Sequence, residues 1–255
     1  MTTTTRQFQL DRVLTIGARP DTVFTFFTDS ARWASWWGAG STIDPRPGGR
    51  ILVVHPGGVE VTGEILQFEP PERIVFTYGY ASGSPIPPGG STVTIRLAPH
   101  AEGTRLHLTH EFDDDSQRDQ HVQGWRFQLS LFANAVANLV NADAASAIDR
   151  WFAAWNESDA AVRRRLLSAL VSDGVRFRDK FSRTDGIDEL DAHLDAARRF
   201  MSGLELERSG AVRHCQGSAL VDWVAVRNGA QVSSGTNTFT FGPDGRVDAV
   251  TGFWA

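Results

Sequence analysis

The stretch HVQGWRFQLSLFANAVANL, residues 121–139, decides how the first half of this chain folds. Val122, Trp125, Leu129, Phe132, Val136 and Leu139 recur three or four apart, which places apolar side chains along one face of a helix. A helix this long and this one-sided needs an apolar surface to cover. The residues before it supply one. Phe8 to Ile16 alternates apolar and polar positions as a strand does, and strand-like runs follow at Arg50–His55, Glu60–Glu69, Arg73–Tyr80, Ser91–Ala98 and Thr104–Phe112. Pro47-Gly48-Gly49, Pro56-Gly57-Gly58, Pro70-Pro71 and the Pro85–Gly90 run separate them as turns. Pro20 stands where a short helix begins, with Val23, Phe24, Phe26 and Phe27 as its apolar face.

Strand, short helix, antiparallel strands and a long closing helix predict an α+β unit of helix-grip architecture. The second half reads differently. Helical periodicity covers Ala147–Asn156, with Ile148, Trp151, Phe152 and Trp155 on one side, and continues over Val162–Leu170. Ser172-Asp173-Gly174 reads as a turn into an alternating strand over Val175–Asp179. Gly186 and Ile187 open a third helix carrying Leu190, Leu194, Ala197 and Phe200. Strands are then predicted over Leu204–His214, Ser218–Arg227, Gln231–Phe241 and Val247–Trp254, the last pair joined at Pro243-Asp244-Gly245-Arg246. Helices followed by a curved antiparallel sheet predict a cone with helices over its open side. The chain is therefore expected to hold two domains, 1–141 and 142–255, which its 255 residues also favour.

Composition excludes several functions. A net charge of -5 gives no electrostatic footprint for nucleic acid or an anionic membrane. Cys215 is the only cysteine, so neither an internal disulfide nor a thiolate metal cluster can form. Lys180 is the only lysine, in the polar run Arg178-Asp179-Lys180, and a solvated side chain suits it better than Schiff-base chemistry. Met1-Thr2-Thr3-Thr4-Thr5-Arg6 lacks the apolar core of a signal peptide, and no stretch is long enough to cross a bilayer, so a cytoplasmic protein is expected. The glycine pairs sit in hairpin turns and not between strand and helix, which argues against phosphate cradles. His55, His107, His110 and His121 invite a metal reading. His107 and His110 have opposite strand parity, and no HExxH or cysteine partner accompanies them, so neither metal nor cofactor is expected.

Two resemblances extend this reading. Asp44-Pro45-Arg46-Pro47-Gly48-Gly49-Arg50, Gly63-Glu64-Ile65, Pro70-Pro71-Glu72-Arg73-Ile74-Val75-Phe76-Thr77-Tyr78, Gly103-Thr104-Arg105-Leu106-His107-Leu108-Thr109-His110 and His121-Val122-Gln123-Gly124-Trp125 stand in order over about residues 6–140. They resemble the activator of heat-shock protein 90 ATPase homologue family of the START-like (SRPBCC) superfamily, which implies a deep cavity between sheet and long helix. Phe152-Ala153-Ala154-Trp155-Asn156 with Asp159, Phe177-Arg178-Asp179, Gly186-Ile187-Asp188-Glu189-Leu190, Gly217, Trp223, Gly235 and Phe241-Gly242-Pro243-Asp244-Gly245-Arg246-Val247 are similar to SnoaL-like polyketide cyclases of the nuclear transport factor 2-like fold. That resemblance implies a second, cone-shaped cavity and a homodimer through its sheet.

The candidate groups follow from these cavities. Asp179 shares strand parity with Val175 and Phe177, so it is either a base in an apolar pocket or a cap of the turn that ends the strand. Asp222 carries the same two alternatives, pocket base or exposed residue. His193 either pairs with one of these carboxylates or is a structural helix residue. Steroid isomerases on such a cone set a tyrosine beside the base, whereas Tyr78 and Tyr80 both lie in the first half. Trp223, Asn237 or His193 would have to supply the donor. Trp151, Trp155 and Phe177 are expected to line that second cavity. In the first, Trp33, Trp36, Trp37, Trp125 and Leu129 either fill the core or meet a planar ligand, since an indole offers a large flat surface at low entropy cost. The expected partner is a hydrophobic small molecule. Binding, cyclase or isomerase catalysis, and a chaperone-type interaction surface are the three functions left open.

Overall fold

The computed structural model describes residues 6–255, so Met1–Thr5 of the leader reading lie outside the described residues. The chain divides into two compact units between Val136 and Ala137. That point lies near the end of the long helix, ahead of the small-residue stretch at Ala142–Ser146. No helix among the described residues is long and apolar enough to cross a membrane.

The first unit opens with β1 (Phe8–Ile16), α1 (Pro20–Phe24), a 3-10 turn at Thr25–Phe27 and α2 (Ser30–Trp37). Pro20 occupies the first turn of α1, where its missing N–H costs nothing. Asp29 caps α2 by accepting the Arg32 amide at 2.9 Å. The strands β2 (Thr42–Ile43), β3 (Arg50–Val54), β4 (Glu60–Glu69), β5 (Arg73–Tyr80), β6 (Ser91–His100) and β7 (Gly103–Phe112) then form a sheet with β1. Its order is β1-β7-β6-β5-β4-β3-β2, antiparallel throughout. The long helix α3 (Asp115–Val140) starts where the Asp114 side chain accepts the Ser116 amide at 2.9 Å and the Gln117 amide at 3.3 Å.

The core of this unit is aromatic. Phe132 of α3 stacks on Phe27 at 5.4 Å and meets Trp36 at 4.8 Å, while Trp33 lies edge-on to Phe76 of β5 at 5.9 Å. The helix face differs slightly from the predicted stripe: Trp125, Leu129, Phe132 and Val136 are buried, but Leu139 is 41% exposed and His121 and Gln128 are buried instead. The result is a mixed α+β unit consistent with a helix grip.

In the second unit α4 (Ala144–Asn156) follows α3 after three residues. Asp159 caps α5 (Ala160–Leu170), accepting the Ala161 and Val162 amides at 2.8 and 2.9 Å. β8 (Val171–Arg178) includes Ser172-Asp173-Gly174, so the predicted turn is strand, though the register against β13 shifts between Val171 and Arg176; Gly174 has no positive φ. After β9 (Arg183–Asp185) and α6 (Ile187–Phe200) come β10 (Leu204–Cys215), β11 (Ser218–Arg227), β12 (Ala230–Phe241) and β13 (Val247–Trp254). The sheet order is β10-β11-β12-β13-β8-β9, with β13 and β8 parallel and the other pairs antiparallel. Register shifts put bulges on β10, β12 and β13, the usual means of curving a sheet. Trp151 of α4 packs on Phe177 and Phe239 at 5.9 and 5.8 Å. Arg163 of α5 is buried and reaches Asp191 at 2.7 Å and Asp195 at 3.4 Å on α6, so a charged side chain is paired where it leaves water.

Candidate functional site

In the first unit a cleft of about 260 Å³ opens between α3 and the strands. Trp37 from α2, His55 and Pro56 after β3, Tyr78 and Tyr80 from β5, and His121, Gly124, Trp125, Phe127, Gln128 and Leu131 from α3 form most of its wall. Among the described residues, no carboxylate, guanidinium or ammonium lies in that wall. A dry apolar cavity of about 150 Å³ is enough to accept benzene, so this cleft has room for one or two fused rings. Phe127 at its edge is 62% exposed, an apolar lip for an apolar guest.

The polar groups inside it are ordered by their partners. His121 Nδ1 lies 2.6 Å from the Gln117 carbonyl, an acceptor only, so that nitrogen carries the proton. Its Nε2 is then an acceptor for the Tyr80 hydroxyl at 3.2 Å. His110 is fixed by the same logic: Trp125 Nε1 donates to its Nδ1 at 2.9 Å, and its Nε2–H donates to Ser91 Oγ at 2.8 Å, the Ser91 hydroxyl being spent on the Tyr78 carbonyl. Burial drives the His110 imidazole well below its usual range, with help from His121 and Arg6, so it is neutral. Burial lowers His121 too, against the raising effect of the Gln117 carbonyl, and lowers His55, where His121 adds to it. The same desolvation raises both tyrosines, Tyr78 most. The cleft therefore presents neutral hydrogen-bonding groups set in aromatic walls. It can hold a planar molecule and pair with one of its polar atoms.

Of the residues expected here, Trp37 and Trp125 line the cleft. Trp33, Trp36 and Leu129 do not. Trp33 is closed off by Trp36, Trp37 and Phe76 and donates to the Leu52 carbonyl at 3.1 Å; Trp36 lies against Phe27, Trp37 and Phe132. Leu129 is on the buried side of α3, one step around from Gln128. These three are core. The sequence reading missed Tyr80 and weighed His110 and His121 only as metal ligands. The available signals were the parity of Tyr78 and Tyr80 on one strand and the four-residue spacing of His121 and Trp125. Among the described residues, no three His, Cys, Asp or Glu side chains gather as a metal site. His107 lies on the outer face and pairs with Asp11 at 3.1 Å, away from His110.

The interior of the second unit is nearly full. Trp151, Trp155, Phe177, Trp223 and Asn237 surround a space of about 20 Å³, roughly one water. Asp179 borders it, just past the end of β8, and acts as a turn cap. Its Oδ1 accepts the Phe181 and Ser182 amides, both at 2.8 Å, and its Oδ2 accepts Trp254 Nε1 at 3.1 Å. Trp223 donates to Asn237 at 3.0 Å, so that donor is also taken. His193 does not bond Asp179 directly: Ser182 Oγ stands between them, 3.1 Å from His193 Nε2 and 3.4 Å from Asp179 Oδ1. The imidazole stacks on Phe177, and burial lowers its pKa while Asp179 opposes the shift. Of its two alternatives, Asp222 takes the exposed one. Ala219, Val221, Trp223 and Ala225 are buried on β11, so strand alternation turns Asp222 outward, where Thr236 donates to it at 2.6 Å.

Both units are α+β, and the first is consistent with a helix grip. Residues 17–137 match the family described as activator of Hsp90 ATPase homolog 1-like protein. An AHSA1-like protein from Rhizobium etli is 31% identical, covering 51% of this chain and 82% of its own, with a TM-score of 0.42. An AHSA1 protein from Silicibacter pomeroyi is 26% identical over 49% of this chain and 95% of its own, with a TM-score of 0.42. A SnoaL-like family protein from Agrobacterium tumefaciens is 26% identical over 43% of this chain and 95% of its own, again with a TM-score of 0.42. None of the curated proteins matches this chain.

Proposed function

We propose that the first unit binds an uncharged, planar, hydrophobic small molecule in the α3 cleft, with the Tyr80 hydroxyl, held by His121, meeting its polar atom. The observation that carries this reading is the pairing of room with chemistry: about 260 Å³ of aromatic-walled space, free of charged side chains, around an oriented phenol–imidazole pair. Burying a ring against Trp37, Trp125 and Leu131 supplies the affinity, and an oxygen on that ring would replace water at Tyr80. Polyketide-like aromatics, with fused rings and phenolic oxygens, are a chemical class with these properties. For the second unit we propose the cone-shaped, SnoaL-like domain of the sequence reading, supported by its bulged six-stranded sheet. Catalysis there by an Asp179 base finds less support, because its carboxylate is engaged in the turn and the adjoining space admits a water but no ring.

The test is a titration of the full chain with 2-naphthol, followed by tryptophan fluorescence and calorimetry. Saturable one-site quenching is expected, since Trp37 and Trp125 touch the site. Tyr80→Phe should weaken binding about 5- to 10-fold, the worth of one hydrogen bond. Absence of saturable binding to the unsubstituted protein would refute the reading.

A further inference from the structure

Along α3 the residues facing the cleft include His121, Gly124, Gln128 and Leu131, spaced three, four and three apart on one helical face. Three of them carry side chains and the fourth is glycine. Glycine inside a helix weakens it relative to alanine, because folding must remove more backbone freedom. A fold requires glycine for one of two reasons, a positive φ or a close backbone approach. Gly63 and Gly103 show the second: a Cβ at Gly63 would lie 1.7 Å from the Thr77 carbonyl oxygen, and one at Gly103 2.3 Å from that of Ile16. Gly124 shows neither. It lies in the interior of a 26-residue helix, is not among the positive-φ glycines, and a Cβ placed there meets nothing within 4 Å. Its lack of a side chain does nothing for the packing of the unit, yet it widens the cleft at mid-length, one turn from His121 and one from Gln128.

We propose that Gly124 is the residue that sets ligand size: the bare helix surface there is the groove across which a second fused ring lies, while the ring nearer His121 presents its oxygen to Tyr80. The ligand class is thus a neutral bicyclic phenol, whose hydroxyl donates to the Tyr80 oxygen, and not a single ring. The proposal rests on the binding reading above but makes a separate claim.

The experiment compares the full chain with Gly124→Ala, Gly124→Leu and Gly124→Phe, using 2-naphthol and phenol as probes and thermal melting as the control for folding. Gly124→Ala is expected to raise the melting temperature of the first unit by about 2–5 °C, since alanine suits a helix interior and has space. Gly124→Leu and Gly124→Phe should remain folded, lose at least about 10-fold in 2-naphthol affinity, and lose much less for phenol. The inference falls if the unsubstituted protein binds 2-naphthol and folded Gly124→Leu or Gly124→Phe binds it equally well. It falls also if Gly124→Ala lowers the melting temperature, or if neither larger variant folds, because the glycine would then serve the fold. No binding by the unsubstituted protein is the distinct outcome that removes the reading beneath it.

Discussion

The two units handle the same problem, a helix laid over a curved or twisted sheet, with opposite results. In the first, α3 leaves about 260 Å³ open beside its buried aromatic core; in the second, about 20 Å³ remains. Both interiors are rich in tryptophan, so aromatic content does not determine which is hollow. The difference lies in where the indoles sit. Trp33 and Trp36 pack against Phe27, Phe76 and Phe132, and the cleft survives next to them. Trp151, Trp155 and Trp223 instead converge on one point from helix and sheet, with Phe177 and Trp254, and fill it.

The strongest way to break this contrast is to hollow the second unit. Trp151→Ala should lower its unfolding free energy by about 3–5 kcal/mol, as large-to-small core substitutions do, with a new site for benzene detectable by calorimetry. A loss below about 1 kcal/mol would mean that the interior is not tightly packed. A smaller effect concerns pH. His110 and His121 have lowered pKa values in the folded first unit and ordinary ones when unfolded, so the unfolded chain binds more protons below about pH 6.5. Stability of this unit is thus fully present above that pH and is lost as pH falls through the lowered folded values. His110→Gln, which keeps partners for Trp125 and Ser91, should flatten the decline between about pH 7 and pH 5 in thermal melts; an unchanged slope would assign it to other groups. The smallest effect is expected at Asp222. Asp222→Asn should change stability by less than about 0.5 kcal/mol and leave 2-naphthol binding unaltered, whereas a marked change would return that residue to the list of functional groups.

Much of the architecture was legible because period carries it: alternation gave β1 and the second half of β8, and the three-to-four spacing gave α3, α4 and α6. Ser172-Asp173-Gly174 misled because turn composition is a weak local preference, and pairing of Val171 with Val247 and of Arg176 with Ala249 and Asp185 on either side overrides it. The site was read less well. Parity correctly put Asp179 on the inner side with Phe177, but parity says nothing about the Phe181 and Ser182 amides that occupy its carboxylate. Asp222 had the information in plain view, since Trp223 beside it takes the inner face. Leu129 and Gln128 differ by one helical step, and hydrophobicity selected the leucine although the glutamine faces the cleft.

The position of β13 in its sheet has a practical consequence for anyone altering this chain. It stands between β12 and β8, so removing the eight residues Val247–Trp254 would not trim an edge but would split the sheet into a three-strand and a two-strand fragment. It would also take away the indole that anchors Asp179. Deletions or insertions within β13 therefore fall at a central seam of the sheet and not at its edge.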